Sequence, residues 1–191
     1  VTQRDFYRMA AFFRNTTQAV FDDNAEAPPP VVMVDAAQTP SLVAEERETP
    51  AVANVLTRGR YDQLGEEVTP GVPQALLGSS QAQPSNRLGL ARWLVEAQNP
   101  LTARVAINRF WAELFGAGIV RTPENFGRTG AVPSNQPLLD WLAVELQESG
   151  WNVKHMLRSM LTSATYRQAA THTPAGDTAD PDNKLCWHGP R

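Results

Sequence analysis

The stretch that decides the fold is residues 99–116, which read NPLTARVAINRFWAELFG. Asn99 followed by Pro100 is a helix-start signal, because asparagine caps a helix and proline is tolerated at its first position. Gly116 supplies the matching stop signal. Apolar residues lie on nearly every side of the helix between them, which is typical of a helix at the centre of a domain. The sequence therefore predicts a central helix around which other elements pack.

Further helices are predicted on both sides of this segment. One runs from Ser85 to about Asn99, and another from Ser134 to a stop at Gly150. A third starts at Asn152 and has the clearest periodicity in the chain, with apolar residues at i, i+3, i+4, i+7 and i+8. Those apolar residues are Val153, Met156, Leu157, Met160 and Leu161.

Near the start of the chain, Thr2 and Asp5 have the spacing of a capping box, and residues 3–14 are predicted to form an amphipathic helix. A single helix of about 12 residues is only marginally stable in water, so this helix must pack against another segment.

The segment between residues 22 and 84 has a different character, because it contains eight of the fifteen prolines. Regular helix is improbable there, since proline lacks an amide N–H. Residues 31–34 and 51–57 are β-branched enough to predict short strands, and residues 35–49 are predicted to be a linker. The fold class predicted is mainly α: a compact helical bundle with a long irregular Pro/Gly-rich arm and a few short strands.

Composition limits the classes of function. The chain has 191 residues with 17 basic and 20 acidic side chains, and this formal charge of −3 argues against a general nucleic-acid partner. No apolar run approaches the roughly 18 residues of a membrane span, and residue 1 does not open an export leader. Cys186 is the single cysteine, which predicts no disulfide, no structural zinc and no CxxCH haem attachment within the chain.

The three histidines, His155, His172 and His188, have no ligand-spaced partner, so no metal site is predicted. Arginine is the most prominent polar residue type, with fifteen arginines against two lysines. Such arginines either brace the fold by pairing with carboxylates or form a pocket for anions and acidic sugars. For the pocket, the candidate ligand-binding residues are Arg58, Tyr61, Arg109, Arg121 and Asp140. Asp140 lies in the first turn of a predicted helix, where the helix dipole alone favours a carboxylate.

A series of ordered motifs resembles one known family. They are NPLTARV (99–105), NRFW (108–111), FGAG (115–118), RTP (121–123), FG (126–127), PS (133–134), LLDWLA (138–143), SGW (149–151) and TYRQ (165–168). They are similar to those of the planctomycete cytochrome-associated proteins, in a domain of unknown function, over about residues 50–170. Residues 5–13 resemble the end of the domain that precedes it.

The resemblance implies an exported, multidomain protein and places any haem in a missing upstream domain, with no cofactor in this chain. Composition, helix patterns and the resemblance together predict a domain organisation: the end of a preceding domain (1–21), an extended arm (22–84), a helical core domain (85–170) and a polar tail that runs into a missing C-terminal portion (171–191). The partners expected are the upstream and downstream segments of the same protein.

Three hypotheses for function follow. The first is a non-catalytic structural or interaction module of such a protein. The second is a carbohydrate-active enzyme or acidic-sugar-binding domain, with polysaccharide as its partner and Arg58, Tyr61, Arg109 and Asp140 in one cleft. The third is part of an electron-transfer protein whose haem is bound elsewhere.

Overall fold

A computed structural model describes residues 1–16, 31–34, 39–42, 45–49, 51–77 and 82–189. The chain divides into two compact units, Val1–Trp93 and Leu94–Arg191. The predicted domain boundaries stay predictions. Residues 15–17 read Asn-Thr-Thr, a pattern that matches a glycosylation sequon, and its last residue, Thr17, lies outside the described residues.

The helices are α1 (Gln3–Arg14), α2 (Arg87–Val95), α3 (Thr102–Phe115), α4 (Gln136–Glu148), α5 (Val153–Thr162), α6 (Ala164–Arg167) and α7 (Pro174–Ala179). The strands are β1 (Val31–Val34), β2 (Thr39–Leu42), β3 (Ala53–Leu56) and β4 (Leu64–Val68). Two 3₁₀ turns lie at Thr57–Gly59 and Gln74–Leu76. The predicted class, mainly α with a few short strands, is confirmed. In the ranges that the structure describes, no helix is both long and apolar enough to cross a bilayer.

In the first unit, α1 packs on an antiparallel ribbon of β3 and β4, in which Ala53 pairs with Val68. The capping box predicted for α1 is confirmed: Thr2 N donates to Asp5 Oδ2 at 2.9 Å and Asp5 N donates to Thr2 Oγ1 at 3.2 Å. The buried face of α1 carries Ala11 and Phe12. The docking expected of this short helix is therefore made within the chain.

Phe12 belongs to a second cluster of this unit, which also includes the buried residues Val72, Leu90 and Trp93. The irregular arm thus contributes apolar anchors to the packing of α1. β1 and β2 form a separate antiparallel pair, so that part of the predicted linker, residues 39–42, is a strand.

In the second unit, α3 is the central helix, as predicted. Its buried residues are Ala103, Ile107, Asn108 and Trp111, and the three apolar ones pack with buried residues of α4 and α5 into one cluster. Asn99 Oδ1 accepts hydrogen bonds from the backbone N–H groups of residues 101 and 102, both at 3.0 Å. Gly116 ends α3 in the left-handed region, with φ of 81°.

Asn108, on the same helix, is the one fully buried polar side chain among the described residues. Its Nδ2 donates to Val120 O at 3.0 Å, and Val120 N donates to its Oδ1 at 2.8 Å. A side chain on α3 therefore satisfies both backbone polar groups of a buried residue in the loop that follows. Gly118 passes directly beside the amide, and an added Cβ there would lie 2.6 Å from Asn108 Nδ2.

Two helix caps differ by one residue from the prediction. α2 is capped by Asn86 and not Ser85, since Asn86 Oδ1 accepts a backbone N–H three residues later at 2.8 Å. α4 is capped in the same way by Asn135 and not Ser134, at 3.1 Å. The cap predicted for α5 at Asn152 is confirmed at 3.0 Å.

After α6 the chain forms a small closed structure, which we call the C-terminal lobe (residues 168–189). Gln168 Nε2 donates to Cys186 O at 2.6 Å, and Gly189 N donates to Ala169 O at 2.9 Å, so the two ends of the lobe are joined. Asp180 organises the interior: its carboxylate accepts the backbone N–H groups of residues 184 and 185 at 2.9 and 2.7 Å. α7, which lies in this lobe, was not predicted.

Candidate functional site

A concave surface of the second unit surrounds Trp111. Three cavities, of about 230, 150 and 40 Å³, share Trp111 as a lining residue. The first two also share Leu138 and Thr165, and the last two also share Lys184 and Cys186. The cavities are therefore neighbours, and we call them together the Trp111 groove.

Trp111 is held at the centre of this groove by the core. It lies on the buried face of α3, and its ring stacks on that of Phe115 with centroids 3.9 Å apart and an interplanar angle of 13°. Phe115 in turn meets the edge of Tyr166 at 5.6 Å. Rings that are packed on each other in this way form a rigid wall.

One end of the groove is apolar, and it contains the largest cavity. α4 contributes Leu138, Trp141 and Leu142, and α5 contributes Met160. Trp141 is 55% exposed, so an indole is available to solvent at this end. The polar residues at this end are three neutral hydroxyl residues, Ser159, Ser163 and Thr165.

The other end is polar and is walled by the C-terminal lobe. Its lining includes Arg121, Ser134, Asp182 and Lys184. Arg121 Nη2 donates to Asp182 O at 2.5 Å, and Lys184 Nζ lies 2.9 Å from Asp182 Oδ2. The hydrogen bond from Lys184 lowers the pKa of the Asp182 carboxyl, so that this group is ionised at neutral pH.

Asp140, a predicted site residue, is engaged in a brace between helices. Arg104 Nε on α3 donates to Asp140 Oδ1 on α4 at 2.6 Å, and Gln136 Nε2 donates to the same oxygen at 2.7 Å. These two hydrogen bonds, that from Gln136 foremost, lower the pKa of the Asp140 carboxyl. The carboxylate is therefore held ionised and bound to the fold, which is the bracing role weighed for the arginines.

The remaining predicted residues lie at different places. Arg109 is exposed on α3 and has no ion pair or hydrogen bond within the described ranges. Arg121 lies at the polar end of the Trp111 groove, as described above. Arg58 and Tyr61 belong to the first unit; Arg58 has a φ of 53° and Tyr61 is 88% exposed. Within the second unit the structure therefore brings Asp140 to Arg104 and Arg121 to Asp182.

The histidines also have partners. His155 Nε2 lies 2.7 Å from Glu145 Oε1, which ties α5 to α4, and His172 Nδ1 lies 2.8 Å from Asp177 Oδ1 in the C-terminal lobe. The rings of His172 and His188 are adjacent, with centroids 4.2 Å apart, which their separation in sequence did not indicate. Among the described residues, no group of three His, Cys, Asp or Glu side chains has an arrangement that could hold a metal ion.

Cys186 lines the groove at its polar half and has a left-handed backbone with φ of 53°. Burial raises the pKa of its thiol, with a contribution from the nearby Asp180 carboxylate. A thiol with a raised pKa is a poor nucleophile at neutral pH, since the thiolate is the reactive form.

Comparison with known proteins gives a family for the helical half of the chain. Residues 86–191 match the model of the PSD1 family, described as a protein of unknown function (DUF1553). The match covers more than half of the chain, and the chain belongs to this family. No curated protein and no solved structure gave a match. The Trp111 groove and the Arg104–Asp140 brace both lie within the matched residues.

Proposed function

We propose that this chain is a non-catalytic structural and interaction module of an exported, multidomain, cytochrome-associated protein. The observation that carries the proposal is the use of charged side chains as braces: Arg104 binds Asp140 between α3 and α4. A carboxylate that is held by an arginine and by Gln136 is a poor general base, because both hydrogen bonds favour its ionised form and lower its proton affinity.

The setting of the proposal rests on the motifs between residues 99 and 168 that resemble planctomycete cytochrome-associated proteins. In that setting the module positions neighbouring segments of the same polypeptide, and haem is bound by another domain. Localisation outside the cytoplasm follows from the same resemblance.

The enzyme hypothesis assigned chemistry to Asp140 together with Arg109. In the second unit Asp140 bonds to Arg104 instead, and Arg109 is exposed elsewhere on α3. This pairing favours the structural module over a carbohydrate-active enzyme.

The test uses the full-length protein that contains this chain. Its visible absorption spectrum is expected to show the bands of a c-type haem, and their absence would overturn the cytochrome setting. Asp140→Asn is expected to lower the stability of the module slightly and to leave any turnover of the full-length protein unchanged. Loss of a turnover in Asp140→Asn with the fold intact would overturn the non-catalytic assignment, and Arg109→Ala serves as the exposed control.

A further inference from the structure

We infer that the Trp111 groove binds an amphipathic monoanion, with an alkyl or aryl body at its apolar end and a carboxylate at its polar end. The inference goes beyond the proposed function, because a structural module does not need a small-molecule site. It rests on the change in lining chemistry from one cavity to the next around Trp111.

The apolar end determines the body of the ligand. Its lining residues are two tryptophans, two leucines, a methionine and three neutral hydroxyl residues. No charged side chain lines this cavity among the residues described, so an ionic group placed here would lose its hydration without compensation. An alkyl chain or aromatic ring instead gains free energy from burial and from contact with the indole rings.

The polar end determines the charge of the ligand. Among the side chains that line this end, Arg121 and Lys184 supply two positive charges and Asp182 supplies one negative charge, a net charge of +1. The nearby Asp180 carboxylate does not line the cavity and accepts the backbone N–H groups of residues 184 and 185. Each of these cations uses only part of its hydrogen-bonding capacity on Asp182, since a guanidinium has five N–H donors and an ammonium three. A carboxylate here would neutralise the excess charge and accept the remaining donors.

The order of the two ends determines the length of the ligand. The middle cavity, of about 150 Å³, shares Leu138 with the apolar end and Lys184 with the polar end. A ligand that has both a carboxylate and an apolar body must therefore extend through this middle cavity. Short acids reach only one end and bind weakly.

The experiment is isothermal titration calorimetry of this chain with butanoate, hexanoate and octanoate, below the concentrations at which they form micelles. Each methylene that enters the apolar end should tighten binding about fourfold, since burial of a CH₂ is worth about 0.8 kcal/mol. Octyltrimethylammonium, with the same tail and the opposite charge, should bind at least tenfold more weakly than octanoate. A parallel titration with 2-naphthoate distinguishes an aryl from an alkyl body.

Two groove variants have matched controls. Lys184→Glu reverses the charge at the polar end and should weaken octanoate binding at least tenfold, whereas Lys154→Glu, at the only other lysine, should leave the affinity unchanged. Trp141→Ala should weaken octanoate binding by a similar factor, whereas Val144→Ala, at an exposed position on the same helix, should leave it unchanged. Circular dichroism checks that all four variants are folded.

Absence of octanoate binding, equal binding of the cationic surfactant, or equal effects of the groove and control variants would each overturn the inference. None of these results bears on the haem spectrum or on turnover, so the proposed function can fail or stand independently.

Discussion

Asn108→Ala should be the most destabilising polar substitution in the second unit. It removes two hydrogen bonds, of 3.0 and 2.8 Å, and leaves the N–H and C=O groups of Val120 unpaired. Both Asn108, with 0% exposure, and Val120, with 2%, are closed to water. An unsatisfied buried polar group costs about 1–3 kcal/mol, so the two together should lower the free energy of unfolding by about 4 kcal/mol.

The assay is urea unfolding followed by tryptophan fluorescence. With a slope of about 2 kcal/mol per molar urea, the midpoint should fall by roughly 2 M. Arg109→Ala is the matched control at the next residue, which is exposed, and should change stability by less than about 0.5 kcal/mol.

Asn108→Asp tests the same bonds without a cavity. The introduced carboxylate would face Val120 O, and burial would raise its pKa in the folded state. Its folded pKa would then lie above its unfolded value, so the stability of this variant should be highest in acid and fall as pH rises. A loss below about 1 kcal/mol for Asn108→Ala, or a stability of Asn108→Asp that does not change with pH, would refute the reasoning.

Three further predictions concern single sites. Gly118→Ala should destabilise by more than about 1 kcal/mol in urea unfolding, because the new Cβ would lie 2.6 Å from Asn108 Nδ2; a neutral result would contradict the tight passage of this loop. Asp140→Asn should cost less than about 1 kcal/mol, since its pair with Arg104 is partly exposed. Because folding lowers the pKa of Asp140, the loss of stability in Asp140→Asn should be present above the unfolded carboxyl pKa and should vanish as pH falls through the folded pKa. Thermal unfolding of both proteins from pH 7 to pH 2 measures this loss. A loss of stability that persists in acid would contradict the role of the charge. Cys186 should react with iodoacetamide at least tenfold more slowly in the folded chain than in urea, because burial raises the pKa of its thiol; equal rates would show that the thiol is open to solvent.

Local signals in the sequence predicted much of the helical architecture. The capping box of Thr2 with Asp5 and the Gly116 stop each depend on atoms within a few residues, and the structure confirms both. Asn99 does accept the backbone N–H groups of residues 101 and 102, but α3 begins two residues later than predicted, with Leu101 at the N-cap position. The errors of one residue at Ser85 and Ser134 arose where an asparagine follows a serine. Either side chain can accept the same backbone N–H, and sequence alone does not distinguish them.

The start of α7 has a local helix signal in the sequence. Thr173 followed by Pro174 has the same form as Asn99 followed by Pro100, and Thr173 caps α7 with a bond of 3.1 Å to Gly176 N. This helix was not predicted because the tail is polar and has no apolar periodicity. Strand β4 was missed because Gly65 and two glutamates give it low β-propensity, and its pairing with β3 overrides that preference.

The site depends on contacts between residues far apart in sequence. The pocket hypothesis grouped Asp140 with Arg109 and the bracing hypothesis paired the arginines with carboxylates, and sequence alone did not indicate that Arg104, 36 residues away, is the arginine that contacts Asp140. The Trp111 groove requires α3, α4, α5 and the C-terminal lobe together, and neither periodicity nor composition indicates which helix faces will meet. The sequence therefore indicated which residue types occur in the site, but not which side chains contact one another.

The closure of the C-terminal lobe has an evolutionary consequence. Because Gly189 N returns to Ala169 O, the polypeptide leaves the lobe where it entered. Residues between these points can be lengthened, shortened or replaced in descendants of this gene while the helices beneath keep their sequence. Selection can thus remodel one wall of the groove, provided that the packing of Cys186 on the core and the hydrogen bond from Arg121 to Asp182 are kept or replaced.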